Sequence, residues 1–155
     1  MRTTLAAFAL LLALAAPAKS ADKESWDFIK SGTEAQLSYG VPESDVVTLI
    51  FRCDAKTKPI EIVSTVLPPK PKKGQALTTT LRSGALAAAY DGKIGHHSEH
   101  GFHFEASAPA EPKLVDVLKS GTTLTIGIPG KQLRVPLKGV AKPLAQFETA
   151  CLGKH

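Results

Sequence analysis

Short runs of alternating apolar residues, separated by turn residues, constrain the fold of this chain more than any other feature. In the run 45–53, Val47, Leu49, Phe51 and Cys53 fall on one face of an extended strand, because side chains alternate between the two faces of a sheet. Turns recur about every 8–12 residues, which is typical of antiparallel sandwiches and barrels. The other runs cover 35–39, 59–67, 77–81, 86–90, 100–106, 122–128 and 132–137.

Two stretches favour helices. Residues 113–119 fit one or two turns, and Leu144, Phe147 and Cys151 have the spacing of an amphipathic helix over 140–151. The stretch 22–32 is predicted as a short helix or an irregular lead-in, and Asp91-Gly92 as a hairpin turn after strand 86–90. We expect a mainly β fold, an antiparallel β-sandwich or barrel of about seven or eight strands with a C-terminal α-helix packed on it.

The N-terminal residues have the pattern of a secretory signal peptide. Arg2 precedes the apolar run Leu5 to Ala16, and Ala16-Pro17-Ala18 offers small residues for cleavage. A membrane anchor is disfavoured because 12 residues span only about 18 Å of a hydrocarbon core about 30 Å thick. We therefore expect residues 1–20 to be cleaved and 21–155 to form a single β-rich domain, periplasmic or secreted, without a transmembrane segment.

The charge of the chain favours no particular partner. Cleavage would remove Arg2 and Lys19 and lower the formal net charge from +5 to +3. Only 6% of residues are aromatic, and no basic stripe with stacking aromatics is present, so a nucleic-acid partner is not expected.

The two cysteines allow one disulfide, between Cys53 and Cys151. An oxidising compartment would favour it, and closing a loop of 98 positions would remove about 4–5 kcal/mol of unfolded-chain entropy in the simplest model. The alternative, a redox role, lacks a Cys-x-x-Cys sequence.

Four of the five histidines lie close together, at His96, His97, His100 and His103. Imidazole is a common ligand of zinc, copper and nickel, so these residues are candidate metal ligands. In an extended segment His97, Glu99 and His103 would share a face, and two or three ligands could converge at a hairpin tip. The alternatives are a solvated loop whose histidines have no specific role, and a response to pH.

The same segment contains His96-x-x-Glu99-His100, the inverted zincin string. A metallopeptidase would need this string on a helix, but Gly95 and Gly101 flank it and β patterning surrounds it. Nucleophile motifs such as Gly-x-Ser-x-Gly are also absent from the sequence. Because triads can assemble from distant residues, a hydrolase is kept as a third hypothesis.

A positive turn, Lys70-Pro71-Lys72-Lys73, follows the run 59–67. It could contact anionic lipid headgroups or lipopolysaccharide. The alternative is a solvated loop that protects a sheet edge from aggregation.

The C-terminal part of the chain contains four motifs in a fixed order. They are Leu114-x-x-x-Leu118-x-x-Gly121, Leu124-Thr125-Ile126, Leu133-x-Val135-Pro136-Leu137-x-Gly139 and Leu144-x-x-Phe147-x-x-x-Cys151. Together with Tyr39-Gly40-Val41-Pro42, before the strand that ends at Cys53, they resemble small exported proteins of Gram-negative bacteria of the invasion-associated-locus-B and VasI-like kind. That resemblance implies a short helix, a β-hairpin, a Leu-x-Gly step and a closing helix, in a periplasmic, non-enzymatic, β-rich protein with no catalytic residues to carry over.

The sequence thus predicts an exported, non-enzymatic protein that binds a protein or another envelope component. The alternative is a periplasmic protein that binds a transition metal through His96, His97, His100 and His103. No other cofactor is expected.

Overall fold

The computed structural model describes residues 23–55 and 59–153. The predicted signal peptide, 1–20, lies outside the described residues. The described chain forms nine strands and two helices. They are β1 (Ser25–Ser31), β2 (Glu34–Gly40), β3 (Val47–Asp54), β4 (Ile60–Ser64), β5 (Ala76–Ser83), β6 (Leu86–His97), β7 (Gly101–Ala108), α1 (Pro112–Lys119), β8 (Thr123–Ile128), β9 (Lys131–Pro136) and α2 (Ala141–Leu152).

All nine strands belong to one antiparallel sheet in the order β1-β2-β3-β4-β7-β6-β5-β8-β9. The sheet curls into a half-barrel. The connection from β4 to β5 passes two strands, because β7 and β6 lie between them. The mainly β class, the antiparallel pairing and the C-terminal helix are confirmed.

One strand was not predicted from the sequence. It is β1, in the stretch 22–32 that was predicted as a short helix or an irregular lead-in. It pairs residue by residue with β2, from Ser25 opposite Gly40 to Ser31 opposite Glu34. Trp26 turns inward and is buried, while Phe28 packs against the core. Pairing with a neighbouring strand and a buried face therefore decide the conformation of this segment.

The predicted turn at Asp91-Gly92 is wrong, because β6 continues through it for 12 residues. Asp91 and Gly92 pair with Thr78 and Leu77 of β5, and Gly92 also pairs with Ala106 of β7. The chain reverses further on, between His97 and Gly101. This extension of β6 carries the histidines to the end of a long hairpin.

The core lies between the inner face of the curled sheet and the two helices. Helix α1 packs against β5 and β6, and α2 packs against β1 and β2. Phe51, Phe104 and Phe147 are the largest fully buried side chains. The apolar face of α2 predicted from Leu144, Phe147 and Cys151 is buried as expected.

Two links fix α2 in place. Cys53 of β3 and Cys151 of α2 form the predicted disulfide, with their Cα atoms 5.9 Å apart. In addition, Lys119 Nζ at the end of α1 donates a hydrogen bond of 2.5 Å to Oε2 of the buried Glu148 on α2. The helices are therefore connected to the sheet and to one another.

Neither helix in the described part of the chain has the length and apolar character needed to cross a membrane.

Candidate functional site

The hairpin of β6 and β7 projects beyond its neighbours. Strand pairing between β5 and β6 ends at Lys93, and pairing between β4 and β7 ends at Phe104. Beyond Ile94, which still exchanges backbone hydrogen bonds with the segment before β5, the two strands pair only with each other, as far as His97 opposite Gly101. The tip of this hairpin is therefore open to solvent.

Three side chains converge at this tip, those of His97, Glu99 and His100, here called the tip cluster. Their possible ligand atoms all lie within 4.8 Å of one another. The rings of His97 and His100 are stacked, with centroids 4.9 Å apart and planes 21° apart. The backbone N–H of Glu99 donates to Nδ1 of His97 at 3.3 Å, which ties the turn to one of the rings.

The other two predicted ligands lie apart from the tip cluster. The ring of His96 meets Phe102 edge-on, with centroids 4.7 Å apart. His103 Nε2 lies 3.6 Å from Oε2 of Glu105, and Oε1 of the same carboxylate lies 3.5 Å from Lys93 Nζ. The extended alternation that would place His103 beside His97 stops at the turn, so the turn residue His100 takes that place.

The tip cluster offers the chemistry of a three-ligand metal site. Two imidazoles and one carboxylate suit Zn²⁺, which often has three protein ligands and a water molecule or substrate in the fourth position. All three side chains are exposed, so small rotamer changes could bring their ligand atoms to one ion. The alternation of the sequence predicted Glu99 beside His97, but the approach of His100 to both depends on the turn.

A second polar surface lies on the outer face of β5, β8 and β9, around an open groove of about 720 Å³. We call it the arginine groove and define it by Thr80, Arg82, Thr125, Gly127, Gln132 and Arg134. The only signal in the sequence is the alternation of Thr78, Thr80 and Arg82. It could not reveal the groove, because β5 and β8 are separated by 39 positions between Ser83 and Thr123 and their pairing is unknown beforehand.

Two tyrosines have shifted pKa values. Burial raises the pKa of Tyr39, and burial together with the nearby Glu111 carboxylate raises the pKa of Tyr90. Both phenols therefore keep their proton at neutral pH, and neither is a base under those conditions.

Comparison of the chain with known protein families, with curated proteins and with solved structures finds no match.

Proposed function

We propose that this chain is an exported, non-enzymatic binding protein of the bacterial envelope that holds a transition-metal ion at the tip cluster. The signal-peptide pattern of residues 1–20 supports export. The disulfide is compatible with an oxidising compartment, where such bonds persist. The resemblance to exported proteins of the invasion-associated-locus-B and VasI-like kind points to the same location.

One observation carries the proposed metal site: the convergence of His97, Glu99 and His100 within 4.8 Å. These three residues lie in a stretch of four positions, so their approach is local and depends on a single tight turn. The paired strands below the turn hold its two ends, from Gly92 opposite Ala106 to His97 opposite Gly101. A short turn on a paired base limits the ordering that metal binding requires, and this favours binding.

Calorimetric titration of residues 21–155 with Zn²⁺ tests the site. We expect about one ion per chain, bound in the micromolar range, with affinity that falls at pH 5 because the metal must displace protons from imidazole. The double variant His97→Ala, His100→Ala should weaken binding by at least about tenfold. The matched control His96→Ala, His103→Ala removes two imidazoles from the same hairpin and should bind as the unaltered chain does.

Two results would contradict the metal site. One is the absence of measurable heat from the unaltered chain, which would favour a solvated loop. The other is an equal loss of zinc affinity in the two double variants, which would mean that zinc binds to any histidine of the hairpin without preference. A response to pH without metal would appear as a dependence of the melting temperature on pH that zinc does not alter.

Export has a separate test. The tagged full chain should be found in the periplasmic fraction or in the medium, shortened at its N-terminus, whereas a chain that begins at Ala21 should stay in the cytoplasm. A full chain that remains in the cytoplasm at its original length would contradict export without affecting the metal site. Recovery of the tagged chain from an envelope extract, with metal analysis of the same sample, would then identify what it holds.

A further inference from the structure

Arg82 and Arg134 lie in one row across three neighbouring strands. Arg82 of β5 is opposite Thr125 of β8, and Thr125 is opposite Arg134 of β9. Two strand spacings of about 4.8 Å place the two arginine backbones about 10 Å apart. Their side chains, which are exposed, are therefore close enough to bind one ligand together, on either side of the Thr125 hydroxyl.

These two arginines differ from Arg52, the other arginine among the described residues, in their partners. Arg52 has a carboxylate oxygen of Glu61 within 4.0 Å, at 3.8 Å. Within residues 23–55 and 59–153, no carboxylate lies within that distance of Arg82 or Arg134. The residues that line the groove include two arginines and no aspartate or glutamate, so the lining itself is positively charged.

The row next to the arginines supplies neutral hydrogen-bonding groups and free space. Thr80 is opposite Gly127, and Gly127 is opposite Gln132. A Cβ atom at Gly127 would meet only the backbone oxygen of Thr80, at 3.8 Å, so the floor of the groove has room for a ligand group. At the edge of the groove, the carboxylate of Asp91 on β6 accepts a hydrogen bond of 2.6 Å from the hydroxyl of Thr78.

The positive turn Lys70-Pro71-Lys72-Lys73 belongs to the connection that precedes β5 of the groove. It leads directly into β5, whose first residue is Ala76, and the backbone N–H of Lys72 donates to the Gln75 side chain at 3.2 Å. At the other side, Lys131 Nζ at the start of β9 donates to Leu67 O at 3.3 Å. The connection that carries the lysines therefore continues into β5 and is bonded to β9 through Leu67 and Lys131.

We propose that the arginine groove binds the phosphorylated saccharide headgroup of an envelope glycolipid. Guanidinium groups pair with phosphate in a two-pronged geometry, and threonine hydroxyls and a glutamine amide suit sugar hydroxyls. The open space over Gly127 can take a single sugar or phosphate group, which a flat lipid surface would leave unfilled. This inference rests on the proposed export, because export would bring the chain into the envelope, where it would contact such a glycolipid.

Binding of purified lipopolysaccharide to residues 21–155, measured by surface plasmon resonance, tests the inference independently of export. The double variant Arg82→Gln, Arg134→Gln should weaken binding by at least about tenfold, since hydrogen bonds between charged partners are the strong ones. The matched control Lys138→Gln, Lys142→Gln removes the same charge from exposed positions elsewhere and should stay within about twofold. Thermal melting checks that each variant is folded.

Two further measurements separate groove binding from general attraction to anions. Gly127→Leu fills the floor of the groove without changing the charge and should also weaken binding by about tenfold. Vesicles of phosphatidylglycerol, which carry phosphate but no saccharide, should bind weakly and lose that binding at high salt. The proposal would be overturned if the arginine and lysine variants lost lipopolysaccharide affinity equally, or if Gly127→Leu had no effect. Equal binding to lipopolysaccharide and to the vesicles would overturn it in favour of a lipid surface.

Discussion

At Gly92 the space that a side chain would need is already filled. A Cβ atom there would lie 2.2 Å from the backbone oxygen of Glu105 and 2.8 Å from the Phe104 ring. Phe104 is fully buried, so its ring cannot move away freely. Gly92 is thus required by close packing inside a continuous strand.

We expect Gly92→Ala to lower the free energy of unfolding by about 1–3 kcal/mol, as overpacking of a tight interior does. Gly127→Ala is the matched control, because the added methyl group would enter open space, and it should change stability by less than about 0.5 kcal/mol. Urea denaturation measures both. Equal stability of the two variants would show that the Phe104 ring adjusts to the added methyl group.

Gly92 also shows why part of the site could not be predicted. In a sequence, Asp-Gly is a strong turn signal. Here the glycine lies within a strand instead, because the neighbouring strand approaches it too closely for any side chain. Once the turn moves to the segment between His97 and Gly101, His100 becomes the neighbour of His97 in place of His103. The sequence therefore identified the histidine-rich segment as the candidate, while the set that converges depended on the position of one turn.

Among the elements, α2 is the one most dependent on cross-links, because it joins the last part of the chain to its third strand. Its amphipathic pattern could be predicted from Leu144, Phe147 and Cys151 alone. With two cysteines in the chain, its disulfide partner could be predicted as well. The contact of Glu148 with Lys119 could not, because it depends on how α1 and α2 meet on the sheet.

Reduction of the Cys53–Cys151 disulfide should lower the free energy of unfolding by about 4–5 kcal/mol in the chain-entropy model. Thermal melting with and without a thiol reductant measures the loss. The double variant Cys53→Ala, Cys151→Ala has no disulfide to reduce, so its melting temperature should be low and should not change when the reductant is added. Identical melting temperatures for the oxidised and reduced chain would mean that packing alone fixes α2.

Lys119→Met should lower the free energy of unfolding by about 1–2 kcal/mol, between the values for surface and buried ion pairs, because it removes a partner of the buried Glu148 carboxylate. Lys113→Met on the same helix is the control. Its ammonium group has no carboxylate within 4.0 Å in the part of the chain that the structure describes. If denaturant midpoints fall equally for both variants, the loss comes from the helix surface and not from this pair.

At the scale of the whole molecule, a side chain of β1 bonds to β9, the strand at the opposite edge of the curled sheet. Trp26 Nε1 of β1 donates a hydrogen bond of 2.8 Å to Pro136 O of β9, across 110 positions of sequence. The ring of Trp26 also packs against Tyr39, with centroids 5.3 Å apart. Alternation and turn spacing predicted most strands, but the order of nine strands depends on pairings distant in sequence.

Trp26→Phe should keep most of the ring packing and lose the hydrogen bond, at a cost of about 1 kcal/mol. Because that bond joins β1 to β9, backbone amides of β9 should exchange faster with deuterium while those of β3 stay unchanged. Tyr39→Phe, which removes a hydroxyl from the same aromatic pair, is the control. Uniform acceleration in all strands would assign the effect to overall stability and not to the joined edges.

If export proceeds from the N-terminus, the disulfide can form only after the chain has been translocated as far as Cys151. Cys53 would emerge in the oxidising space while Cys151, 98 positions later, is still behind it. During that interval Cys53 has no partner thiol within its own chain, because Cys151 is the only other cysteine. Closure of the bond would then require arrival of α2, so the oxidised form would record that translocation had reached this helix.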